Sequence, residues 1–241
     1  MAGPGAVYAV AAVLIGLSAG SIALMRLERV VPSREPVTLA SVFAGVSLVR
    51  RRPELLGAIS LDLFAVLLGG ATALLPIYAH DILRVGPWGL GALRSAPAVG
   101  ALGMSFLLAR IGINRHAGRI MFTAVGVFGV ATIVFGLSRS FPLSIASLAV
   151  LGAADSISMI IRGSLVQLQT PNEMLGRVSS VYFIFVGTSN QLGEFESGVT
   201  ASWFGAMPAV LIGGAGTLAV LVIWMWAFPA LLNYDRLEEA R

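Results

Sequence analysis

The chain has 241 residues, 57% of them hydrophobic and 12% charged, with a mean hydropathy of +0.88, whereas a soluble domain typically carries about 25% charged residues. A water-soluble core could not hide that much apolar surface, so lipid must solvate most of it. The net charge is +4, all 16 basic residues are Arg and Cys is absent, which excludes disulfides, zinc–cysteine sites and cysteine nucleophiles. The arginines are spread through short connections and read as membrane orientation rather than as a nucleic-acid interface.

A helix needs about 20 apolar residues to cross ~30 Å of hydrocarbon. Seven segments meet that length, here spans one to seven: 6–25, 55–79, 88–109, 120–137, 141–161, 178–200 and 208–231. Span one lacks a basic leader and is followed by Arg26 and Arg29, so it reads as a transmembrane helix with its N-terminus outside rather than as a signal peptide. The connection 26–54 carries Leu39, Phe43, Val46 and Val49 at helical spacing ahead of Arg50, Arg51 and Arg52. That pattern fits an amphipathic helix on the inner leaflet, with a solvated linker as the plain alternative. Span two contains Gly69, Gly70 and Pro76, which together permit a bend suited to a gating helix. The last residues, 232–241, form a short cytoplasmic tail.

With the N-terminus outside, Arg26, Arg29, Arg34, Arg50, Arg51, Arg52, Arg110, Arg115, Arg119, Arg162, Arg177, Arg236 and Arg241 all fall in cytoplasmic segments. Arg84 and Arg139 fall in outer loops and Arg94 inside span three, an asymmetry that supports the alternation of seven spans. Tyr8, Tyr78, Trp88 and Trp203 are expected in an outer aromatic belt, and Tyr182, Trp224, Trp226 and Tyr234 in an inner one.

Spans one, four and seven hold no ionisable residue, whereas Asp62, Arg94, Asp155, Glu194 and Glu196 lie in the other four. A charge in hydrocarbon costs at least a few kcal/mol, about 2.5–3.5 on insertion scales, so charged helices should face the bundle interior or a water-filled cavity. A period of three helices is what inverted three-helix repeats produce. Asp62 and Asp155 are expected near the inner third of the membrane, and Arg94 near the outer third with the two glutamates, one of which it could pair. On span six, Asn190, Gln191 and Glu194 share a helical face while Glu196 points elsewhere, so Glu194 is favoured for the cavity. Structural pairing of both glutamates is the equally weighted alternative.

Three stretches carry a resemblance to a known family. The run Leu61-Asp62-Leu63-Phe64 through Gly69-Gly70 to Pro76 resembles the seventh helix of major facilitator superfamily exporters, most of all the branch with the enterobactin exporter and macrolide-type efflux pumps. Asn114-Arg115-His116-Ala117-Gly118-Arg119 resembles the second-half copy of the superfamily's D-R-x-G-R loop, with Asn114 in place of the acid. The stretch Thr170-Pro171-Asn172-Glu173 through Arg177, followed by Gly193-Glu194-Phe195-Glu196, resembles the tenth-to-eleventh helix region.

The resemblance implies an all-α integral membrane protein in which residues 1–25 correspond to helix six, 26–54 to the linker between halves and 55–231 to the C-terminal six-helix bundle. It places the three uncharged spans at the periphery. It also implies that a first half is missing, whether cut off by truncation or a misplaced start or carried on a separate chain, and that this chain does not transport alone. The expected function is proton-coupled efflux of small amphiphilic molecules such as drugs or siderophores, from a bacterial-type cytoplasmic membrane, through Asp62, Asp155 or Glu194. A scaffold without transport is the alternative. Lys is absent, which removes a retinal Schiff base. His80 and His116 are the only histidines and fall in loops, so neither catalytic residues nor a metal site or cofactor is expected.

Overall fold

The structure, a computed structural model, describes residues 4–24, 39–113 and 115–235. Asn114 of the loop signature, residues 25–38 of the connection and 236–241 of the tail lie outside the described residues. The chain divides into two units, 1–36 and 37–241. In the first unit α1, Pro4–Leu24, is a single helix of 21 residues, about 31 Å at 1.5 Å per residue.

The second unit begins with α2, Leu39–Arg51, which ends on Arg50 and Arg51, where cations complement the carbonyl end of a helix. Pro53 then starts α3, Pro53–Leu68; proline is favoured in a first turn because its missing N–H has no partner to lose. The α3 helix stops at the two glycines. Beyond them come a 3-10 turn, Ala71–Leu74, one turn of α4, Leu75–Ile77, and a π turn, Tyr78–Ile82.

The interruption has a packing cause. A Cβ on Gly70 would lie 2.6 Å from the carbonyl oxygen of Gly193, and one on Gly193 would lie 2.8 Å from that of Val66. Paired glycines thus let the broken segment touch the backbone of α8. Pro76 withholds a further N–H from the ladder.

The remaining helices are α5, Pro87–Ile111, α6, Ala117–Leu137, α7, Phe141–Gln169, α8, Leu175–Phe204, α9, Ala206–Ala227, and the single turn α10, Pro229–Leu232. Among the described residues five stretches are long and apolar enough to cross a membrane: Pro53–Ile82, Pro87–Ile111, Ala117–Leu137, Phe141–Gln169 and Ala206–Ala227. Spans one and six are helices too, as α1 and α8. The α8 helix has 30 residues, so length is not what it lacks; Asn190, Gln191, Glu194 and Glu196 dilute its hydropathy.

Two apolar clusters hold the second unit together. One gathers Leu55, Met121, Ile161, Leu165, Val178 and Leu231; the other gathers Leu75, Tyr78, Leu93, Phe135, Leu148 and Val210. Along α7 the first cluster begins at Ile161 and the second ends at Leu148, which leaves Asp155 between them. The α5–α7 contact is a backbone interlock, because a Cβ on Gly152 would overlap the carbonyl of Pro97 and one on Gly100 that of Ala149. The α9 helix is tied to α3 by Thr217, whose hydroxyl donates to the carbonyl of Ala65 at 3.1 Å, and by Trp224, whose Nε1 donates to Ser60 Oγ at 3.0 Å.

Two aromatic expectations need correction. Tyr78 is fully buried, with its hydroxyl donating to the carbonyl of Gly136 at 2.9 Å and its ring 4.6 Å from that of Phe135. Tyr182 is buried as well. Neither belongs to an interfacial belt, because each hydroxyl has an interior partner and so can be buried at low cost. Trp88, Trp203 and Trp226 are exposed.

Candidate functional site

Buried charge marks one place in the second unit. Asp62 of α3 is 6% exposed and Arg162 of α7 is 2% exposed, and Arg162 Nη1 is in direct contact with Asp62 Oδ1. Arg162 Nε donates to the hydroxyl of Tyr182 on α8 at 3.0 Å, and Nη1 lies 3.4 Å from Ser158 Oγ on its own helix. Three helices therefore meet on one guanidinium. Such a fork suits Arg, whose planar donors can be shared among several oxygens at once.

The sequence reading put Arg162 in a short cytoplasmic connection, whereas the structure places it within α7 and buries it. Helix α7 continues to Gln169, seven residues further, which is about 10 Å. Arg162 closes the apolar run in hydropathy, yet it stands inside the bundle because it has Asp62 to neutralise it. Asp155, Ser158 and Arg162 stand at spacings of 3, 4 and 7, the signature of one helical face. That spacing was the available signal.

Asp155 adjoins this pair. Asp62, Asp155, Ser158 and Phe128 line one small void. On its other side Asp155 faces a cavity of about 310 Å³ together with Asn190 and Glu194 of α8, Thr72 and the glycines Gly69 and Gly70 of the broken segment. Asp155 is fourteen residues from both Phe141 and Gln169, the midpoint of α7. Asn190 Nδ2 donates to the carbonyl of Val186 at 3.0 Å, and the residue lines the cavity. The arrangement offers two carboxylates, an amide and the Thr72 hydroxyl on a mostly apolar wall, next to a helix break.

The other candidates stand apart. Glu196 accepts a hydrogen bond from Thr200 Oγ1 at 2.8 Å and does not line the cavity. Gln191 is exposed and is also absent from the lining. Arg94 is exposed and has no ion pair among the described residues, so the expected pairing with Glu194 or Glu196 is not formed. Pro76 lies beyond the cavity in α4.

The loop signature is built by the chain's far end. Gly118 N donates to the carbonyl of Tyr234 at 3.0 Å and Ala117 N to that of Asp235 at 3.3 Å. The backbone N–H of His116 donates to Asp235 Oδ1 at 2.9 Å. Residues 234–235 thus satisfy N–H groups that a helix N-terminus leaves open. Gly118 is required there because a Cβ would overlap the carbonyl of Leu231. Arg115 and Arg119 are exposed beside it.

Comparison with known proteins agrees with this architecture. Residues 1–193 match the family model of the Major Facilitator Superfamily. The uncharacterized MFS-type transporter YvqJ of Bacillus subtilis is 26% identical over 143 residues, 59% of this chain and 33% of that protein. The enterobactin exporter EntS of Shigella flexneri is 24% identical over 216 residues, 88% of this chain and 50% of the exporter. The EntS of Citrobacter koseri is 26% identical over 146 residues, 60% of this chain and 35% of its own length. The chain spans about half the length, or less, of these relatives. With a match over residues 1–193, the multi-pass helical bundle described above belongs to the major facilitator superfamily of membrane transporters.

Proposed function

We propose that this chain is the C-terminal half of a proton-coupled exporter of small amphiphilic molecules, and that a separate or upstream N-terminal half completes it. The observation that carries this reading is the cavity lined by Asp155, Asn190 and Glu194 beside a broken helix. A transporter of this kind alternates access by rocking one half against the other around a site near the midplane. Asp155 at the middle of α7 is where such a site requires a group that can gain and lose a proton.

The neighbouring ion pair supplies the coupling. Charged Asp155 gives Arg162 a second carboxylate to answer, and in a low-dielectric interior that competition is felt strongly. Protonation of Asp155 leaves Arg162 to Asp62 alone. The contact joining α3, α7 and α8 thereby senses the proton on Asp155, and the break at Gly69 and Gly70 gives α3 a point about which to move. The protein sits in a bacterial-type cytoplasmic membrane with its N-terminus outside. The EntS relatives are enterobactin exporters by name, and an amphiphile of that general kind suits a cavity with apolar walls and a few polar groups.

The test is flux in vesicles. The chain alone is expected to give no saturable efflux. Coexpression with an N-terminal six-helix half of an enterobactin-type exporter is expected to restore efflux driven by a pH gradient, and Asp155→Asn is expected to abolish its dependence on that gradient. Gradient-driven flux by the chain alone would refute the need for a second half. Unchanged proton dependence in Asp155→Asn would refute the assignment of the carboxylate.

A further inference from the structure

A different set of cavities converges on α6, away from the ion pair. An open trough of about 890 Å³ follows the helix from Arg119 to Val134, with Leu143 of α7 and Leu218 of α9 as its walls. Those fifteen residues cover about 22 Å, enough for the hydrocarbon of one leaflet at about 15 Å, half of the ~30 Å core. A second apolar trough of about 450 Å³ lies between α6 and α7, with Met104 of α5 on its wall, and reaches Ile157. A third cavity, about 270 Å³, is polar, with His116, Asn233, Tyr234 and Asp235 around it. Arg119 alone lines all three.

We infer that this is a binding site for an anionic phospholipid, with one acyl chain in each apolar trough and the phosphate on Arg119 in the polar cavity. Two apolar channels meeting at one cation is the shape and charge of that class of molecule. Arg119 is exposed and has no ion pair among the described residues, so its guanidinium is available to a phosphate. The nearby carboxylate does not neutralise it, because Asp235 accepts from the backbone N–H of His116 at 2.9 Å and lies 3.7 Å from the His116 ring. The helices that wall the troughs are long and apolar enough to cross a membrane, so Val127, Val130 and Val134, all exposed, face hydrocarbon. Basic pockets between transmembrane helices are where acidic headgroups settle. A bound lipid would also brace the junction where residues 234–235 cap α6.

The experiment compares two photoreactive lipids, phosphatidylglycerol and phosphatidylcholine with the same labelled acyl chain. Each is doped at trace level into phosphatidylcholine vesicles containing the full chain. Phosphatidylglycerol is expected to label residues 127–134 about fivefold more than phosphatidylcholine, the factor for about 1 kcal/mol per Arg at a membrane surface. Labelling of residues 183–185 on α8, exposed and outside all three cavities, should not distinguish the probes. Arg119→Gln should bring the ratio at α6 to one, and Arg119→Lys should keep most of it. Equal labelling by both lipids in the unaltered chain would mean ordinary surrounding lipid and overturn the site. So would a ratio untouched by Arg119→Gln. Disulfide-linked dimers of a Val130→Cys chain, with neither lipid labelling the trough, would also overturn it by placing a second copy there.

Discussion

Arg94 and Arg162 both lie within membrane-crossing helices, and the structure treats them in opposite ways. Arg94 stands seven residues into α5, Pro87–Ile111, exposed and without an ion pair among the described residues. Arg162 stands seven residues before the end of α7, 2% exposed, with Asp62, Tyr182 and Ser158 around its guanidinium. Distance from the helix end is the same, about 10 Å, so depth does not separate them. Partners do. A long side chain that near a helix end can carry its charge out to water along its own stem, whereas one turned inward must be neutralised where it sits. Arg162 was turned inward because α3 and α8 supply what it needs.

The sharpest way to break this contrast is to remove the buried cation. Arg162→Met leaves Asp62 buried without its partner, which should cost about 3–5 kcal/mol, read as a large fall in the thermal unfolding midpoint of the detergent-solubilised chain. Asp62→Asn should cost a comparable amount by stranding the guanidinium. The double variant Asp62→Leu with Arg162→Met should recover most of either loss, because replacing both members of a buried pair by apolar groups is often neutral or stabilising. A double variant as unstable as the singles would show that the pair is not the unit that matters.

The same contrast explains what the sequence could and could not disclose. The apolar runs, their order and the break at Gly69, Gly70 and Pro76 are local properties, legible from composition and spacing. Asp155, Asn190 and Glu194 were legible as candidates because polar groups within apolar runs announce themselves. That they share a cavity depends on the contact between α7 and α8, which hydropathy does not encode. Arg162 and Tyr182 were misread for one physical reason. Each sits near the edge of an apolar run, and Arg and Tyr at such edges are ordinarily interfacial. Only the tertiary contact with Asp62 distinguishes a burying edge from an exposed one. The cap on α6 by residues 234–235 was invisible for a related reason, since a chain end can dock wherever backbone N–H groups are left open.

A subtler probe keeps the charges and removes one hydrogen bond. Tyr182→Phe deletes the oxygen that accepts from Arg162 Nε at 3.0 Å and little else, because the ring remains to pack. The loss should be about 1.5–3 kcal/mol, the range for a hydrogen bond to a charged group. It should be coupled to the ion pair. In the background lacking both Asp62 and Arg162, Tyr182→Phe should cost less, and a double-mutant cycle measures the difference. Additivity there would mean that Tyr182 contributes by packing alone.

The smallest effect belongs to Arg94. Arg94→Leu in the isolated chain should change stability by no more than about 0.5 kcal/mol, as for surface positions without a special role, because no partner among the described residues is stranded. The interest lies in the comparison with a reconstituted transporter. If an N-terminal half covers this face of α5, Arg94 would have to find a carboxylate or water there, and the same substitution would then weaken association of the halves while leaving the unfolding midpoint of the single chain unmoved. A fall of several degrees in the single chain would instead mean that Arg94 already has a partner within it, and the distinction drawn between the two arginines would fail.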